Sequence, residues 1–274
     1  MAMVTANGIR HHVQQMAAKD TVLGEAPVVV FIHGLCIDSL ASFYFTLAAP
    51  TSAAGFEVLA YDMRGHGRSE KPATGYRLSD FVEDLHELLN EMDVHRPVHL
   101  VGNSFGGTVA FSYAVAHPER VASVVMIETG PATEDWSTEL GAVLERAKQL
   151  EDPEVITAIE DTYDPHTLRR AKSLRDGLRN TTIAREVPSG PLLSAEQIES
   201  VECPVLAIYG GDSIQAALHA KPLQRLLPRC RAEIVPNASH WVLVEAPQAV
   251  RDLLLPWVSE HEANASLLLE GASA

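Results

Sequence analysis

The sequence predicts an α/β protein: a mostly parallel, twisted central sheet with helices on both faces and a helical cap inserted over one edge. Three observations carry that expectation. Short apolar runs at 28–32, 56–61, 97–102, 121–127 and 205–209 read as strands buried on both faces, the kind that parallel sheets use. Segments of helical periodicity separate most of them, which is the signature of β-α units. The rhythm then stops between residues 131 and 200. That polar, helix-like stretch carries Trp136, Tyr163 and many charges, and it is too long for a simple loop in a compact domain. Residues 1–130 and 201–274 are therefore expected to form the core, and 131–200 a helical lid above the carboxyl edge of the sheet.

Composition sets outer limits. A chain of 274 residues can bury a sizeable core, and 46% apolar with 21% charged residues describes a globular protein. A formal net charge of −15 argues against nucleic acid or an anionic membrane as the main partner. Cys36, Cys203 and Cys230 are odd in number, widely spaced and outside any C-x-x-C pattern, so reduced thiols and a cytoplasmic location are expected. The first residues lack a basic start followed by an apolar run, so no secretory signal is expected.

In chain order, residues 3–17 alternate loosely around Asn7-Gly8, a hairpin signal for two edge strands. His11 and His12 are adjacent, so on a strand they point to opposite faces and do not share a metal. They are expected to be structural, as are His95 and His99. The strand at 28–32 ends in His33-Gly34-Leu35, and the strand at 56–61 ends in the loop Asp62-Met63-Arg64-Gly65-His66-Gly67-Arg68-Ser69. A helix follows from about Ser79, a plausible N-cap, with Phe81, Val82, Leu85, Leu88 and Leu89 at helical spacing. The strand at 97–102 runs into Gly102-Asn103-Ser104-Phe105-Gly106-Gly107, and an Ala- and aromatic-rich helix follows to Ala116. The strand at 121–127 ends at Glu128. Past the 205–209 strand come a helix near 216–227, a strand at 232–235 and a helix over 247–259. Residues 261–274 are expected to fray.

Gly-x-Ser-x-Gly between a strand and a helix is the nucleophile-elbow pattern: a turn tight enough to strain the serine and present its hydroxyl above the helix N-terminus. A serine hydroxyl needs a base to take its proton. His240 fits that role, since Asn237-Ala238-Ser239-His240-Trp241 forms a short polar turn between the last strand and the last helix.

Four features in this order, namely His33-Gly34, the Asp62-to-Ser69 loop, the elbow and the turn holding His240, give the chain a resemblance to the α/β-hydrolase superfamily over nearly its whole length. The resemblance implies a capped serine hydrolase with Ser104 as nucleophile and His240 as base. It also implies an oxyanion hole made by the backbone N–H groups of Leu35 and Phe105, with His33 holding the loop. A serine at the nucleophile position disfavours the aspartate-based chemistry of other capped members. The family's acid usually follows the strand at 205–209, where Asp212 lies, although the usual Gly-x-x-Asp slot counted from Gly210 holds Ser213. Glu128 is the other candidate, because some members draw the acid from the strand after the nucleophile. Asp212 is preferred and Glu128 kept.

The resemblance implies an ester or thioester hydrolase of esterase or thioesterase type, acting on a hydrophobic acyl group through an acyl-enzyme. Met63, Trp136 and Trp241, with Phe105, are the candidate pocket residues. A carbon–carbon bond hydrolase with the same triad is the enzymatic alternative, and Asn103 before the serine occurs there too. A hydrolase-like binding scaffold is the non-enzymatic one. The expected partner is a small acyl substrate, with a carrier-bound thioester among the options. No phosphate loop, dinucleotide fingerprint or metal-ligand cluster occurs in the sequence, so no cofactor and no metal are expected.

Overall fold

A computed structural model describes residues 2–162 and 165–272, leaving aside the side chains of 151, 158–162, 165–167, 169–170 and 263–272. Eight strands form one sheet in the order β1-β2-β4-β3-β5-β6-β7-β8. β1 (Ala2–Ala6) and β2 (Ile9–Met16) are the antiparallel hairpin edge, turning at Asn7-Gly8, and β2 also runs antiparallel to β4 (Glu57–Tyr61). All other neighbours are parallel: β3 (Val28–Ile32) between β4 and β5 (Val98–Asn103), then β6 (Val121–Ile127), β7 (Val205–Gly210) and β8 (Cys230–Val235). β3, β4, β6 and β7 are buried at every position, as their largely apolar sequences require.

Two apolar layers sandwich the sheet. One face packs Leu85, Leu88 and Leu89 of one helix against Val109 and Phe111 of another, and the opposite face packs Phe43 and Leu47 against Val250, Leu254 and Trp257. Between β3 and β4 lie α1 (Ala41–Phe43), a π-helical turn (Tyr44–Ala48) and α2 (Ala49–Ala53), a stretch the sequence pattern does not announce. α3 (Leu78–Glu91) begins one residue ahead of expectation, because Asp80 Oδ2, rather than Ser79, accepts a cap N–H, that of Arg77 at 2.7 Å. α4 (Phe105–Ala116) follows β5 with Ser104 alone between them.

The segment between β6 and β7 is helical: α5 (Glu134–Ala147), α6 (Pro153–Thr162), α7 (Pro165–Asn180), α8 (Ile183–Glu186) and α9 (Ala195–Glu199). Tyr163 lies outside the described residues. Trp136, Leu144, Leu178 and Val187 join the core cluster, so this segment packs onto the sheet domain rather than standing apart. The chain closes with α10 (Ile214–Leu226), α11 (Val242–Glu245) and α12 (Pro247–Ala272). The last helix continues to Ala272 where fraying from residue 261 was expected. Among the described residues no helix is long and apolar enough to cross a membrane.

Candidate active site

Ser104 has φ 50° and ψ −124°, a conformation a non-glycine residue holds only when its surroundings impose it. Here the neighbours impose it. The Ser104 N–H donates to Ile127 O at 2.7 Å, and its carbonyl accepts from Gly107 N at 2.9 Å. A Cβ on Gly102 would overlap the Gly106 carbonyl, and one on Gly106 would overlap the carbonyls of Ile32 and His33. Only glycine lets β5, α4 and the loop after β3 meet this closely. The serine is thus held at the carboxyl edge of the sheet, at the N-terminus of α4.

β5 and β6 pair in register up to Asn103 and Ile127, so the next residues, Ser104 and Glu128, leave the sheet side by side. Glu128 is fully buried and has φ 58°, a second strained non-glycine residue in the site. Its Oε1 accepts Gly210 N–H at 2.5 Å. Its Oε2 accepts from Ser213 Oγ at 2.5 Å and lies 3.0 Å from His240 Nδ1. Three hydrogen-bond partners on one buried carboxylate fix its direction. With Nδ1 given to Glu128, the other nitrogen of His240 is left as the basic one. His240 sits in the loop between β8 and α11, which Glu245 holds by accepting from Ser239 N at 2.6 Å and Ser239 Oγ at 2.9 Å.

The structure therefore brings Glu128, not the preferred Asp212, to His240. Asp212 is exposed, and its backbone N–H donates to Ala238 O at 2.9 Å, which turns the loop so that Ser213 faces the relay. The one-residue offset has this consequence: the slot that would carry a carboxylate holds a hydroxyl, and that hydroxyl supports a carboxylate supplied by the next strand.

The loop after β3 is pinned by two histidines. His33 Nδ1 donates to Gly34 O at 2.7 Å and its Nε2 accepts Met63 N–H at 3.0 Å; His66 Nδ1 donates to Arg64 O at 2.7 Å and its Nε2 accepts Cys36 N–H at 2.7 Å. Each bridge needs a neutral ring, and burial beside His33 pushes the His66 pKa down to about 3. The neighbouring loop is tied in turn. Asp62 accepts the N–H groups of Leu40 and Arg68 at 2.9 Å and lies 2.8 Å from His12 Nδ1; buried Arg64 forks onto buried Asp84, which also faces His11 at 3.6 Å. His11 and His12 serve different carboxylates, as their alternation on β2 requires.

A cavity of about 140 Å³ opens onto this arrangement, lined by Leu35, Ser104, Phe105, Glu128, His240 and, from α5, Trp136 and Leu140 among others. The Leu35 and Phe105 N–H groups donate to no protein group among the described residues. No hydrogen bond joins Ser104 to His240 among them either, and such contacts commonly tighten only with substrate bound. Of the expected pocket residues, Trp136 lies here, stacked on Phe105 at 6.3 Å between ring centroids. Met63 does not: it is 1% exposed in the core, because its backbone is drawn in by His33. Trp241 is half exposed and lines a separate groove. The Cys36 thiol, next to Leu35, has its pKa raised to about 12 by burial.

Residues 27–152, which contain the elbow, Glu128 and the loop after β3, match the family described as alpha/beta hydrolase fold. The chain has the α/β-hydrolase fold. It is 28% identical over 264 residues to the mouse (Mus musculus) sn-1-specific diacylglycerol lipase ABHD11, covering 85% of the chain and 81% of the relative. It is 27% identical over 268 residues to the putative 2-succinyl-6-hydroxy-2,4-cyclohexadiene-1-carboxylate synthase of Bacillus subtilis strain 168, covering 90% and 93%. Among solved structures, carboxylesterase CesB (YbfK) of Bacillus subtilis superposes with a TM-score of 0.70 at 26% identity over 93% of this chain and 89% of that one. With a lipase and an esterase among such relatives, the chain is an enzyme of hydrolase type.

The sequence reading misses Gly210, Glu245, Leu140, Val143 and Gln215 as parts of the site. Gly210 acts through its backbone, Glu245 through a fold-specific loop contact, and the others by where the lid helix docks. None of these has a local sequence signature. Ser213 was in view only as the occupant of an expected acid slot.

Proposed function

We propose that this hydrolase cleaves neutral carboxylic esters, or thioesters of the same acyl groups, through an acyl-enzyme on Ser104. The observation that carries the reading is the 3.0 Å contact between buried Glu128 and His240 Nδ1 beside a cavity that Ser104 also lines. Ser104 Oγ attacks the carbonyl carbon while His240 takes its proton, and Glu128 stabilises the imidazolium. The oxyanion lies against the N–H groups of Leu35 and Phe105, which no protein group occupies among the described residues. Collapse breaks the carbon–oxygen or carbon–sulfur bond, and His240 returns the proton to the leaving group. Water, deprotonated by the same histidine, then releases the acid.

The lining supports a neutral, apolar acyl group: Leu35, Phe105, Trp136, Leu140 and Val143 supply apolar surface, and no Lys or Arg is among the lining residues, whereas Glu139 would repel an anion. The strained serine, the strained glutamate and the two open N–H groups favour turnover over a scaffold that only binds, since strain of this kind clusters where chemistry is done. The segment 131–200 serves as the lid that shapes the acyl side, through α5.

The test is covalent labelling with a fluorophosphonate probe. Wild-type protein is expected to label and Ser104→Ala not to. On any ester turned over, Ser104→Ala is expected to lose on the order of 10⁴-fold in kcat or more while keeping its fold. Equal labelling of the two proteins would exclude Ser104 as nucleophile.

A further inference from the structure

We propose that the groove on the far side of His240 is the binding site for an apolar leaving group, and that it admits larger groups than the acyl cavity does. The inference rests on the serine-hydrolase reading above. A second concavity of about 380 Å³ meets the first at His240, and its apolar lining comes from Ile37, Ala41, Phe45, Trp241, Leu243 and Val244. Asn103, next to the nucleophile, lines it too. The first cavity is lined by Ser104 itself and by Leu35 and Phe105, the residues whose N–H groups face an oxyanion. His240 is common to both.

The chemistry assigns the two spaces. The proton taken from Ser104 must go to the leaving oxygen or sulfur, so the leaving group has to lie on the histidine's side of the tetrahedral centre. The acyl part stays with the nucleophile and the lid helix. A void of about 150 Å³ holds a benzene-sized group, so the 140 Å³ cavity suits an acyl group of about six carbons. The groove is more than twice as large.

Exposure points the same way. Phe45 is 83% exposed, Val244 69% and Trp241 49%, and all three converge on one groove. Phe45 is displayed by the π-helical turn Tyr44–Ala48, a rare form that occurs frequently at functional sites. Clustered apolar side chains beside reacting groups mark a binding surface, whereas scattered ones do not. Asp38 is the charged group of the lining apart from His240, and the protein carries a net charge of −15. A neutral alkyl alcohol fits this groove; a phosphorylated carrier thiol does not.

Two ester series test the assignment on the full chain. With acetate esters from ethyl to octyl alcohol, kcat/KM is expected to rise at least about tenfold, each buried methylene giving up to about a fourfold factor. With p-nitrophenyl esters, it is expected to fall once the acyl chain passes about six carbons. Phe45→Ala and Trp241→Ala, both at exposed positions, are each expected to cut the octyl-to-ethyl ratio about threefold or more. Val22→Ala, equally exposed but ahead of β3 at the opposite end of that strand, should keep the wild-type ratio. A flat alcohol series, or unchanged ratios in both groove variants, with Ser104 still labelled by a fluorophosphonate, would overturn the groove assignment alone. Absence of both labelling and ester turnover would overturn the serine-hydrolase reading and the groove with it.

Discussion

Three side chains define the candidate relay, and its carboxylate comes from the second of the two positions the sequence offered. A carboxylate that orients a catalytic imidazole is worth about 10⁴-fold in kcat, because its amide holds the wrong tautomer. Glu128→Gln is expected to show that loss in steady-state assays, and Asp212→Asn to stay within a few-fold of wild type. The reverse ranking would return the acid to the loop after β7. Ser104 and His240 were legible from local pattern, since an elbow needs its glycines and a polar turn after the last strand is conspicuous. The acid was not, because one offset residue decides it. Whether residue 212 or 213 faces the relay depends on the Asp212 N–H reaching Ala238 O, a contact between segments 26 positions apart (238 − 212). Met63 misled for a related reason: it lies in a motif loop, but its side chain is packed into the core.

At the scale of elements, the loop from Asp62 to Ser69 is a brace between the hairpin edge, α3 and the segment after β3. Its buried Arg64–Asp84 pair is 5% and 1% exposed in side chain, and Asp84 also accepts from Asn7 at 3.0 Å. Asp84→Ala would leave the guanidinium buried without its carboxylate, and a loss of about 3–5 kcal/mol is expected in urea unfolding. On the proposed reading, α5 acts on specificity instead. Leu140 and Val143 line the acyl cavity, and Val143 is half exposed. Val143→Ala and Leu140→Ala should therefore move the preferred acyl length upward in a p-nitrophenyl ester series, with little change in Tm. No change in chain-length preference would remove α5 from recognition. The strands were readable almost to the residue, because a strand buried on both faces has no choice of composition. The helices at 41–53 were not: Phe, Tyr, Thr, Ser and Pro there have weak helix propensity, and the form is imposed by packing Phe43 and Leu47 against the sheet.

For the molecule as a whole, acid is the condition that probes the pinned loops. His66 is fully buried with its pKa lowered to about 3, chiefly by burial and then by His33. Unfolded, the same ring takes up a proton near pH 6.5. Below that pH the unfolded chain binds one proton more than the folded one, so stability falls as pH drops from about 6.5 towards 3 and is fully present above 6.5. One such group gives a slope of up to about 1.4 kcal/mol per pH unit. Burial lowers the pKa of His219 and His261 as well, which adds to the slope in the same direction. Urea titrations at pH 7 and pH 5 should show the decline, and His66→Gln should flatten it; an equal decline in the variant would remove His66 as a source. The register of β5 against β6 has a consequence for heat. Ser104 and Glu128, the proposed nucleophile and acid, follow the same last rung of two adjacent strands, so their spacing is as stiff as the sheet. His240 alone is carried by a surface turn, tethered through Ser239 to an exposed glutamate. The machine thus has one soft hinge, and warming should silence turnover when that turn begins to wander, degrees before the scaffold melts.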